Sequence, residues 1–412
     1  MTEGPIVPGG SATADADPRR WRALALVSVA MLLSLSAWMT ATALGPELQQ
    51  RWGLTASQVA WLTTIVQLGF VGGTAVGALL NLADVVSSRR YFALSALLAA
   101  AANALLLVVP GYGMALAARF ATGFFLAGVY PPGMKMIATW FRSARGLAIG
   151  SVVGALTVGK ATPYLLKALG GPSVTAVVAG ASIAGLVAAL LIAVGYRDGP
   201  YPFPRRAFEW ARVARLFRHR ETMLATGGYL GHMWELYAMW ATVSLFFSEF
   251  FLGDAMSPTH SLAVDLSAFA VIAAGGLGSV VAGRWADAWG RESTTIWMMV
   301  ISGACALSIG WLMDASAWLV VPLALVWGFT IVADSAQFSA VVTEVAPPDA
   351  VGTALTLQTS LGFALSAISI QLTSVLAASV GWRVAYGMLA IGPVLGMIAM
   401  VRLRGVRRAT RS

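Results

Sequence analysis

The sequence predicts an all-α membrane protein with twelve transmembrane helices in two six-helix bundles related by a pseudo-twofold axis. The first observation is composition: 58% of the 412 residues are hydrophobic and 11% are charged, an apolar excess that a soluble domain does not need. The second is that long charge-poor runs recur along the whole chain. The third is a polar interruption near the middle, with similar patterns on either side. Helices follow because a backbone inside a bilayer must satisfy its own hydrogen bonds.

The charge-poor runs set the number of spans. Each is close to the roughly 20 apolar residues that a helix needs to cross the hydrocarbon core. The predicted spans are 22–44, 57–80, 91–109, 112–139, 146–169, 173–195, 222–250, 262–286, 293–313, 317–343, 350–377 and 381–401.

The polar segments divide the chain into five parts. Residues 1–18 are predicted to be a disordered tail, because they are polar and lack the basic start and cleavage site of a secretory signal. An N-terminal six-helix bundle follows at 19–195 and a C-terminal one at 222–401, joined by a cytoplasmic linker at 196–221. Residues 402–412 form a basic cytoplasmic tail.

The distribution of positive charge predicts the orientation. Most of the 27 Lys and Arg residues fall in loops on one side of the predicted membrane, together with both termini. Such residues favour the cytoplasmic side, so we expect both termini to be cytoplasmic in a bacterial inner membrane. The net charge of +9 therefore needs no nucleic-acid partner. Membrane lipid is the expected partner of the basic tail.

The two halves echo each other at matching positions. Trp38 in span 1 parallels Trp240 in span 7, and each lies in a Met, Ala and Thr context. Asp84 follows span 2 as Asp287 follows span 8. Both pairs are about half the chain apart, which indicates an internal repeat of six helices.

The loop after span 8 reads GRWADAWGR, from Gly283 to Arg291. It resembles the signature loop of the major facilitator superfamily, G-x-L-a-D-r-x-G-r-r, and the resemblance covers the whole chain. It implies a fold whose two halves rock around a central site. It also implies that this loop latches one of two alternating states. The latch residues here are Gly283, Asp287, Gly290 and Arg291, and in the first copy Asp84, Arg89 and Arg90.

The first copy of the loop departs from the family pattern. Leu80 replaces the leading glycine, and Ser87-Ser88 replaces Gly-Arg. A solvated basic turn that follows the positive-inside rule is the alternative interpretation of both copies.

The exit of span 4 carries a second resemblance. The stretch GVYPPGMKMIATWFRSARG is similar to the Y-P-x-x-x-K, W-F and R-G segment of organic-anion branches of the superfamily. The matching residues are Tyr130, Pro131, Lys135, Trp140, Phe141, Arg145 and Gly146.

Two cations lie inside the spans of the first half, at Arg119 and Lys160. Ionisable residues are costly in a membrane and are functional candidates by default. The rise of a helix places both at a similar depth, and no carboxylate lies inside the first six spans. We expect both to bind an anionic substrate. The alternatives are snorkelling to the surface or a structural pair with Glu47.

The second half carries protonatable groups instead. His232 and Glu235 are three residues apart and so share a helical face. Asp334 lies in span 10, with Gln337 one turn away. We expect His232, Glu235 and Asp334 to exchange protons. The alternative is a hydrogen-bonded set that only fixes helix packing.

Four further side chains are expected to line the substrate cavity: Trp38, Tyr130, Trp240 and Gln337. For the aromatic residues, packing or anchoring at the membrane interface is the alternative. Catalysis and cofactors are not expected. The sequence has no phosphate-binding loop, its three histidines are widely separated, and Cys305 is the single cysteine, so we predict no metal site.

These features together predict a monomeric secondary transporter, not an enzyme, that moves a small organic anion by alternating access in symport with protons. A proton-driven exporter of drugs or lipophilic cations is the alternative, in which Glu235 or Asp334 would bind the cargo. A sensor or scaffold derived from a transporter is an alternative of another class. The direction of transport stays open at this point.

Overall fold

The structure is a computed structural model, and most of the chain is described by it. Within the described residues the chain is helical and contains no strand. Most of the predicted disordered tail, residues 202–209 in the middle of the predicted linker and residues 410–412 of the predicted basic tail lie outside this description. The described residues are 17–171, 173–201, 210–257 and 260–409, without the side chains of 83–84 and 210–212.

The N-terminal half contains ten helices among its described residues. They are α1 (Arg19–Leu35), α2 (Thr40–Ala43), α3 (Gly45–Trp52), α4 (Ala56–Leu79), α5 (Leu82–Val85), α6 (Ser88–Ala104), α7 (Tyr112–Leu126), α8 (Tyr130–Ala138), α9 (Arg145–Gly170) and α10 (Val174–Gly195).

A short linker helix, α11, precedes the helices of the C-terminal half. In chain order these are α11 (Trp210–Arg218), α12 (Arg220–Leu252), α13 (Leu262–Trp289), α14 (Arg291–Ile309), α15 (Ala317–Ala333), α16 (Ser335–Val345), α17 (Val351–Val380), α18 (Trp382–Leu389) and α19 (Ile391–Ala409).

The predicted spans match these helices closely. Within the described residues, 10 helices are long and apolar enough to cross a membrane. The other two predicted spans correspond to α1 with α2 and to α12. The first is interrupted after Leu35, and the second carries the polar pair His232 and Glu235. The twelve-helix, two-bundle fold is therefore confirmed, although α19 continues beyond residue 401 to Ala409.

The packing repeats between the halves. In the first half α1 packs on α9 and α10, α4 on α7, and α6 on α10. In the second half α12 packs on α17 and α19, α13 on α15, and α14 on α19. Each pair in the first half has its counterpart six spans later, which is the pattern that a pseudo-twofold repeat requires.

The two halves meet along two helix pairs. Helix α9 runs along α13, and α4 runs along α17. We call the end that carries the loops 86–90 and 139–145 and the linker the arginine-rich side, and the other end the opposite side. Both pairs extend between these ends, so the halves touch along the depth of the fold.

Four spans are interrupted, and one of these breaks is at Ala390, between α18 and α19 in span 12. Turns at 36–39 separate α1 from α2, turns at 127–129 separate α7 from α8, and Asp334 separates α15 from α16. A break leaves backbone groups without helical partners, which is tolerated in a membrane only where other protein groups or a water-lined cavity satisfy them. Polar side chains are therefore expected beside each break.

Candidate functional site

Lys160 lies on α9 at the interface between the halves and is only 3% exposed. Its ammonium donates a hydrogen bond to the hydroxyl of Tyr237. The Nζ atom also lies 4.2 Å from the ring centroid of Trp38 and 5.2 Å from that of Trp240, within the range of cation–π attraction. No carboxylate forms an ion pair with Lys160 among the residues that the structure describes.

The rings around Lys160 form a cluster that joins the two halves. We call Trp38, Phe70, Tyr237, Trp240 and Phe363 the aromatic cage. Trp38 lies 5.1 Å from Phe70 within the first half and 5.6 Å from Phe363 across the interface, between ring centroids. Phe70 and Phe363 are 4.5 Å apart. In this conformation the aromatic cage therefore closes the middle of the interface.

Arg119 contacts the backbone of Trp38, one member of the aromatic cage. Its side chain is fully buried and donates to the backbone oxygens of Ala37, at 2.9 Å, and of Trp38. It also donates to Oδ1 of Asn103, at 3.0 Å. The guanidinium thus satisfies the carbonyls freed by the break after α1, where a positive charge is favoured at a helix C-terminus.

Arg119 and Lys160 both contact Trp38, but through different parts of that residue. Arg119 holds the backbone of Trp38, while Lys160 lies against its ring. The alternative, a structural pair of either cation with Glu47, is not seen among the described residues, and Glu47 instead lies 2.8 Å from the ammonium of Lys167. Lys160 remains the cation that faces the second half.

His232 and Asp334 form a buried pair inside the second half. Nδ1 of His232 lies 2.8 Å from Oδ1 of Asp334. Asp334 stands at the break between α15 and α16, and both side chains are almost completely buried. The pair therefore lies where span 10 has lost its regular helical hydrogen bonds.

Glu235 is also buried, on the α12 face that it shares with His232. It accepts a hydrogen bond from Nε1 of Trp327, at 2.7 Å, and one from the hydroxyl of Ser302, at 3.0 Å. Both donors belong to the second half. Within the described chain, His232, Glu235 and Asp334 form no hydrogen bond with Lys160, and their contacts lie inside the second half.

Two of the expected cavity residues make no contact with Lys160 among the described residues. Gln337 accepts a hydrogen bond of 2.9 Å from Arg291, at the arginine-rich side. Tyr130 begins α8, immediately after the break in span 4, and is half-buried against the core. Of the four, only Trp38 and Trp240 contact Lys160.

Helices α9 and α13 approach closely at the arginine-rich side. A Cβ atom on Gly154 would lie 2.6 Å from the carbonyl oxygen of Gly276, and one on Gly150 would lie 2.8 Å from that of Ser279. A Cβ on Gly283 would lie 2.9 Å from the oxygen of Gly146. Side chains at these positions would force the helices apart, so glycine permits this side to close.

Asp287 lies at the same contact. A Cβ on Gly146 would lie 3.2 Å from Oδ2 of Asp287, and Gly146 is the second residue of α9. The carboxylate therefore stands at the N-terminus of a helix from the other half, where negative charge is favoured. Gly290 adopts a φ of +84°, which is the left-handed backbone expected of the turn glycine.

Ion pairs tie together the helices of the second half at the arginine-rich side. Nε of Arg291 lies 2.6 Å from Glu344, and Arg407 pairs with both Glu344, at 3.1 Å, and Glu292. The expected first copy is different. Arg89 and Arg90 are exposed in the first turn of α6, and the side chain of Asp84 lies outside the described residues.

A second group of charges, which the sequence analysis did not identify, joins the halves at the opposite side. We call Glu47, Lys167, His260 and Asp265 the Lys167 cluster. Lys167 lies 3.7 Å from Asp265 as well as contacting Glu47. His260 lies 3.3 Å from Asp265, and its Nε2 is 3.2 Å from the backbone oxygen of Lys167. Lys160 and Lys167 are two helical turns apart on one face of α9. This spacing is the feature of the sequence that could have identified Lys167 as a second interface cation.

A cavity of about 310 Å³ lies between the halves, toward the opposite side. Thr42 and Thr63 line it from the first half, and Leu245 and Trp382 from the second. Glu249 also lines it and accepts a hydrogen bond of 2.6 Å from Trp382. The cavity lies between the aromatic cage and the opposite side, since Thr42 and Ala241 closely follow Trp38 and Trp240.

The comparison with protein families agrees with this arrangement. The family model described as Major Facilitator Superfamily matches residues 26–370 and, in a second match, residues 236–412. This chain belongs to the major facilitator superfamily. The predicted resemblance is confirmed, and the chain is a multi-pass membrane protein of this superfamily.

Two curated relatives of this superfamily member come from Streptomyces. The chain is 32% identical over 152 residues to a puromycin resistance protein of Streptomyces alboniger, covering 36% of this chain and 30% of that protein. It is 28% identical over 198 residues to a probable actinorhodin transporter of Streptomyces coelicolor, covering 45% of this chain and 34% of that protein. The matches thus span about a third of each relative's length.

A solved structure shares the fold of this superfamily member. It is a bacterial homolog of the human lysosomal transporter Spinster, in an inward-facing and unoccupied conformation. The TM-score is 0.65 at 13% sequence identity, and the match covers 94% of this chain and 96% of that one. At this identity the likeness supports the fold alone.

Proposed function

We propose that this superfamily member is a secondary active transporter that moves a small organic anion by alternating access, coupled to protons. The observation that carries the proposal is Lys160, an ammonium buried at the interface of the halves without a carboxylate partner among the described residues. An uncompensated buried charge costs on the order of several kcal/mol. An anionic substrate that enters between the halves supplies the missing charge.

The protonatable groups of the second half provide the coupling in this proposal. His232 and Asp334 are in contact at 2.8 Å, and Glu235 lies one turn of α12 from His232. The break of span 10 at Asp334 gives these groups a place where helix geometry can change. Loading and release of a proton at this pair would then favour different arrangements of the second half.

Two contacts between the halves are proposed to hold the alternating states. Asp287 with the N-terminus of α9 closes the arginine-rich side, and the Lys167 cluster closes the opposite side. Following the positive-inside rule, we assign the arginine-rich side to the cytoplasm of a bacterial cell, with both termini there. Arg119 is proposed to position Trp38 rather than to bind the substrate, because its hydrogen bonds go to backbone oxygens and to Asn103.

Export of an antibiotic is a second candidate, favoured by the two Streptomyces relatives, a puromycin resistance protein and a probable actinorhodin transporter. An exporter that binds a lipophilic cation through Glu235 or Asp334 requires a free carboxylate at the interface. Glu235 is engaged by Trp327 and Ser302, and Asp334 by His232. The contacts therefore favour an anionic cargo, whichever direction it moves.

Counterflow in proteoliposomes tests the proposal. Vesicles that contain the full chain are loaded with a mixture of organic anions or of lipophilic cations, and uptake of a labelled member of each class is measured. We expect anion exchange, and we expect Lys160→Met to abolish it while Arg51→Met leaves it unchanged, because Arg51 is an exposed cation. Exchange of cations that is lost in Glu235→Gln and kept in Lys160→Met would establish the exporter instead.

A further inference from the structure

The aromatic cage contains more hydrogen-bond donors than acceptors. Nε1 of Trp38 and Nε1 of Trp240 are buried, and neither has an acceptor among the described residues. The rings that carry them flank the ammonium of Lys160. Buried donors without acceptors are rare in folded proteins, because each loses the hydrogen bonds it would make to water. Three N–H-bearing groups in one cluster therefore indicate a ligand that brings acceptor atoms.

The hydroxyl of Tyr237 is the one hydrogen-bond acceptor of Lys160 among the described residues. A neutral hydroxyl is a weaker partner for an ammonium than a carboxylate, whose hydrogen bonds are charge-assisted. Tyr237 also belongs to the other half of the protein, so its bond to Lys160 holds the halves together. The hydroxyl therefore occupies the position on Lys160 that an anionic oxygen would take.

The surroundings of this position are flat and aromatic on both sides. Trp38 and Phe70 come from the first half, while Tyr237, Trp240 and Phe363 come from the second. Tyr237 lies 5.2 Å from Phe363 and 5.2 Å from Trp240, between ring centroids. Such rings interact favourably with another ring inserted between them, in offset or edge-to-face geometry.

Gln67 adds a polar group on the same helix as Phe70, one turn away. It is fully buried, and neither its amide nitrogen nor its oxygen has a partner within the described chain. An amide can donate and accept at once. A hydroxyl or carbonyl group on a ligand ring would satisfy it.

We infer that the substrate class is an aromatic acid, whose anionic oxygen replaces the Tyr237 hydroxyl on Lys160 and whose ring lies between the aromatic rings of the two halves. The indole N–H groups of Trp38 and Trp240 then donate to its remaining acceptor atoms. This inference rests on the proposed function, since it names the cargo of the same site.

Three probes of matched shape separate charge from aromaticity. They are 2-naphthoate, its saturated counterpart decahydro-2-naphthoate, and the neutral 2-naphthamide. Binding to the purified full-length protein in detergent is measured by calorimetry at mildly acidic pH. We expect 2-naphthoate to bind at least about tenfold more tightly than either of the others, since the other two lack the ring or the charge.

Variants of the aromatic cage test the role of each group. Lys160→Met should remove the preference for naphthoate over naphthamide, and Lys160→Arg should restore most of it. Trp240→Phe keeps a ring but removes an N–H, so it should weaken naphthoate binding. Tyr237→Phe should strengthen it, because the competing partner of Lys160 is gone and the unliganded form is destabilised. Gly113→Ala serves as the control, since a Cβ there meets no atom within 4 Å.

The outcomes distinguish this inference from the proposed function. Equal binding of the aromatic and saturated acids, lost in Lys160→Met, would overturn the aromatic class but leave anion transport standing. Binding that ignores Lys160, or no binding of any probe, would overturn both. A weaker complex in Tyr237→Phe would overturn the exchange of partners at Lys160. If Lys160→Met does not fold, the three probes and Tyr237→Phe on an otherwise native chain still decide the question.

Discussion

Lys167 of the first half and Asp265 of the second lie 3.7 Å apart at the opposite side, where they join two bodies that must separate for that side to open. Both side chains are almost completely buried. The same lysine pairs with Glu47 at 2.8 Å, so its charge is balanced within its own half as well. The contact is therefore one that can be broken without leaving an isolated ammonium.

Lys167→Met should favour the state that is open at the opposite side. Loss of the ion pair with Asp265 removes a contact that exists only when that side is closed. Removing one partner of a buried ion pair costs roughly 3–5 kcal/mol, so the population should shift at least about tenfold. The measurement is the rate at which a maleimide labels Thr63→Cys, in a Cys305→Ser background. Arg51→Met is the matched control, and a labelling rate equal to that of the control would exclude a gating role for Lys167.

Asp287→Asn should weaken closure of the arginine-rich side. The substitution keeps the size of the side chain but removes the charge at the N-terminus of α9, a contribution of roughly 0.3–1 kcal/mol. Transport in proteoliposomes should fall, while the variant still inserts and remains monodisperse. Asp84→Asn is the comparison, since its loop departs from the family pattern. Near-normal transport by both variants would leave the latch without support.

Gly150→Ala should separate α9 from α13. The added methyl carbon would lie 2.8 Å from the carbonyl oxygen of Ser279 unless the helices move. Alanine is a better helix former than glycine, by about 1 kcal/mol, so a loss of transport could not be attributed to unfolding of α9. Maleimide labelling of an introduced cysteine that is reached from the arginine-rich side should become faster. Gly113→Ala should change neither transport nor labelling, and identical behaviour of the two variants would refute close packing at Gly150.

Glu235→Gln should spare binding and exchange but abolish accumulation against a gradient. A glutamine can still accept from Trp327 through its oxygen and donate to the Ser302 hydroxyl through its nitrogen, so the packing survives. Only the exchangeable proton is lost. The measurement compares counterflow with uptake driven by an imposed pH gradient. Retention of both activities would show that Glu235 only fixes helix packing.

Arg119→Met and Lys160→Met should differ in stability. Removing the guanidinium leaves the carbonyl oxygens of Ala37 and Trp38 without donors, which costs about 1–3 kcal/mol for each buried group. Removing the Lys160 ammonium relieves an uncompensated buried charge. The Tm of purified Arg119→Met should therefore fall, and that of Lys160→Met should stay the same or rise. A lower Tm for Lys160→Met alone would mean that Lys160 is the structural cation.

The helices were predictable from the sequence because length and polarity decide whether a segment can cross a membrane. The predicted span 57–80 is α4 at Ala56–Leu79, and 146–169 is α9 at Arg145–Gly170. The breaks in spans 1, 4, 10 and 12 were not predicted. They leave no compositional mark, because the groups that satisfy them come from distant residues, such as Arg119 for the oxygens of Ala37 and Trp38.

The sequence predicted several residues of the candidate site, but it did not predict how those residues are arranged. Lys160, Trp38 and Trp240 do meet, since ionisable and aromatic residues in spans are few enough to be singled out. The partners of Glu47 and Glu235 depend on how helices face one another, which periodicity along one helix does not specify. Phe70 and Phe363 were missed because an apolar ring in an apolar helix has no distinguishing pattern.

One helix carries all three levels of contact between the halves. Helix α9 begins at the carboxylate of Asp287, places Lys160 in its middle and reaches the Lys167 cluster near its end, without interruption from Arg145 to Gly170. Lys160 and Lys167 are about 10 Å apart along its axis. A tilt of α9 that draws Lys160 toward a ligand must displace Lys167 and Gly146 as well. Binding of a ligand at the centre would therefore move the contacts at both faces of the membrane, because all three lie on one continuous helix.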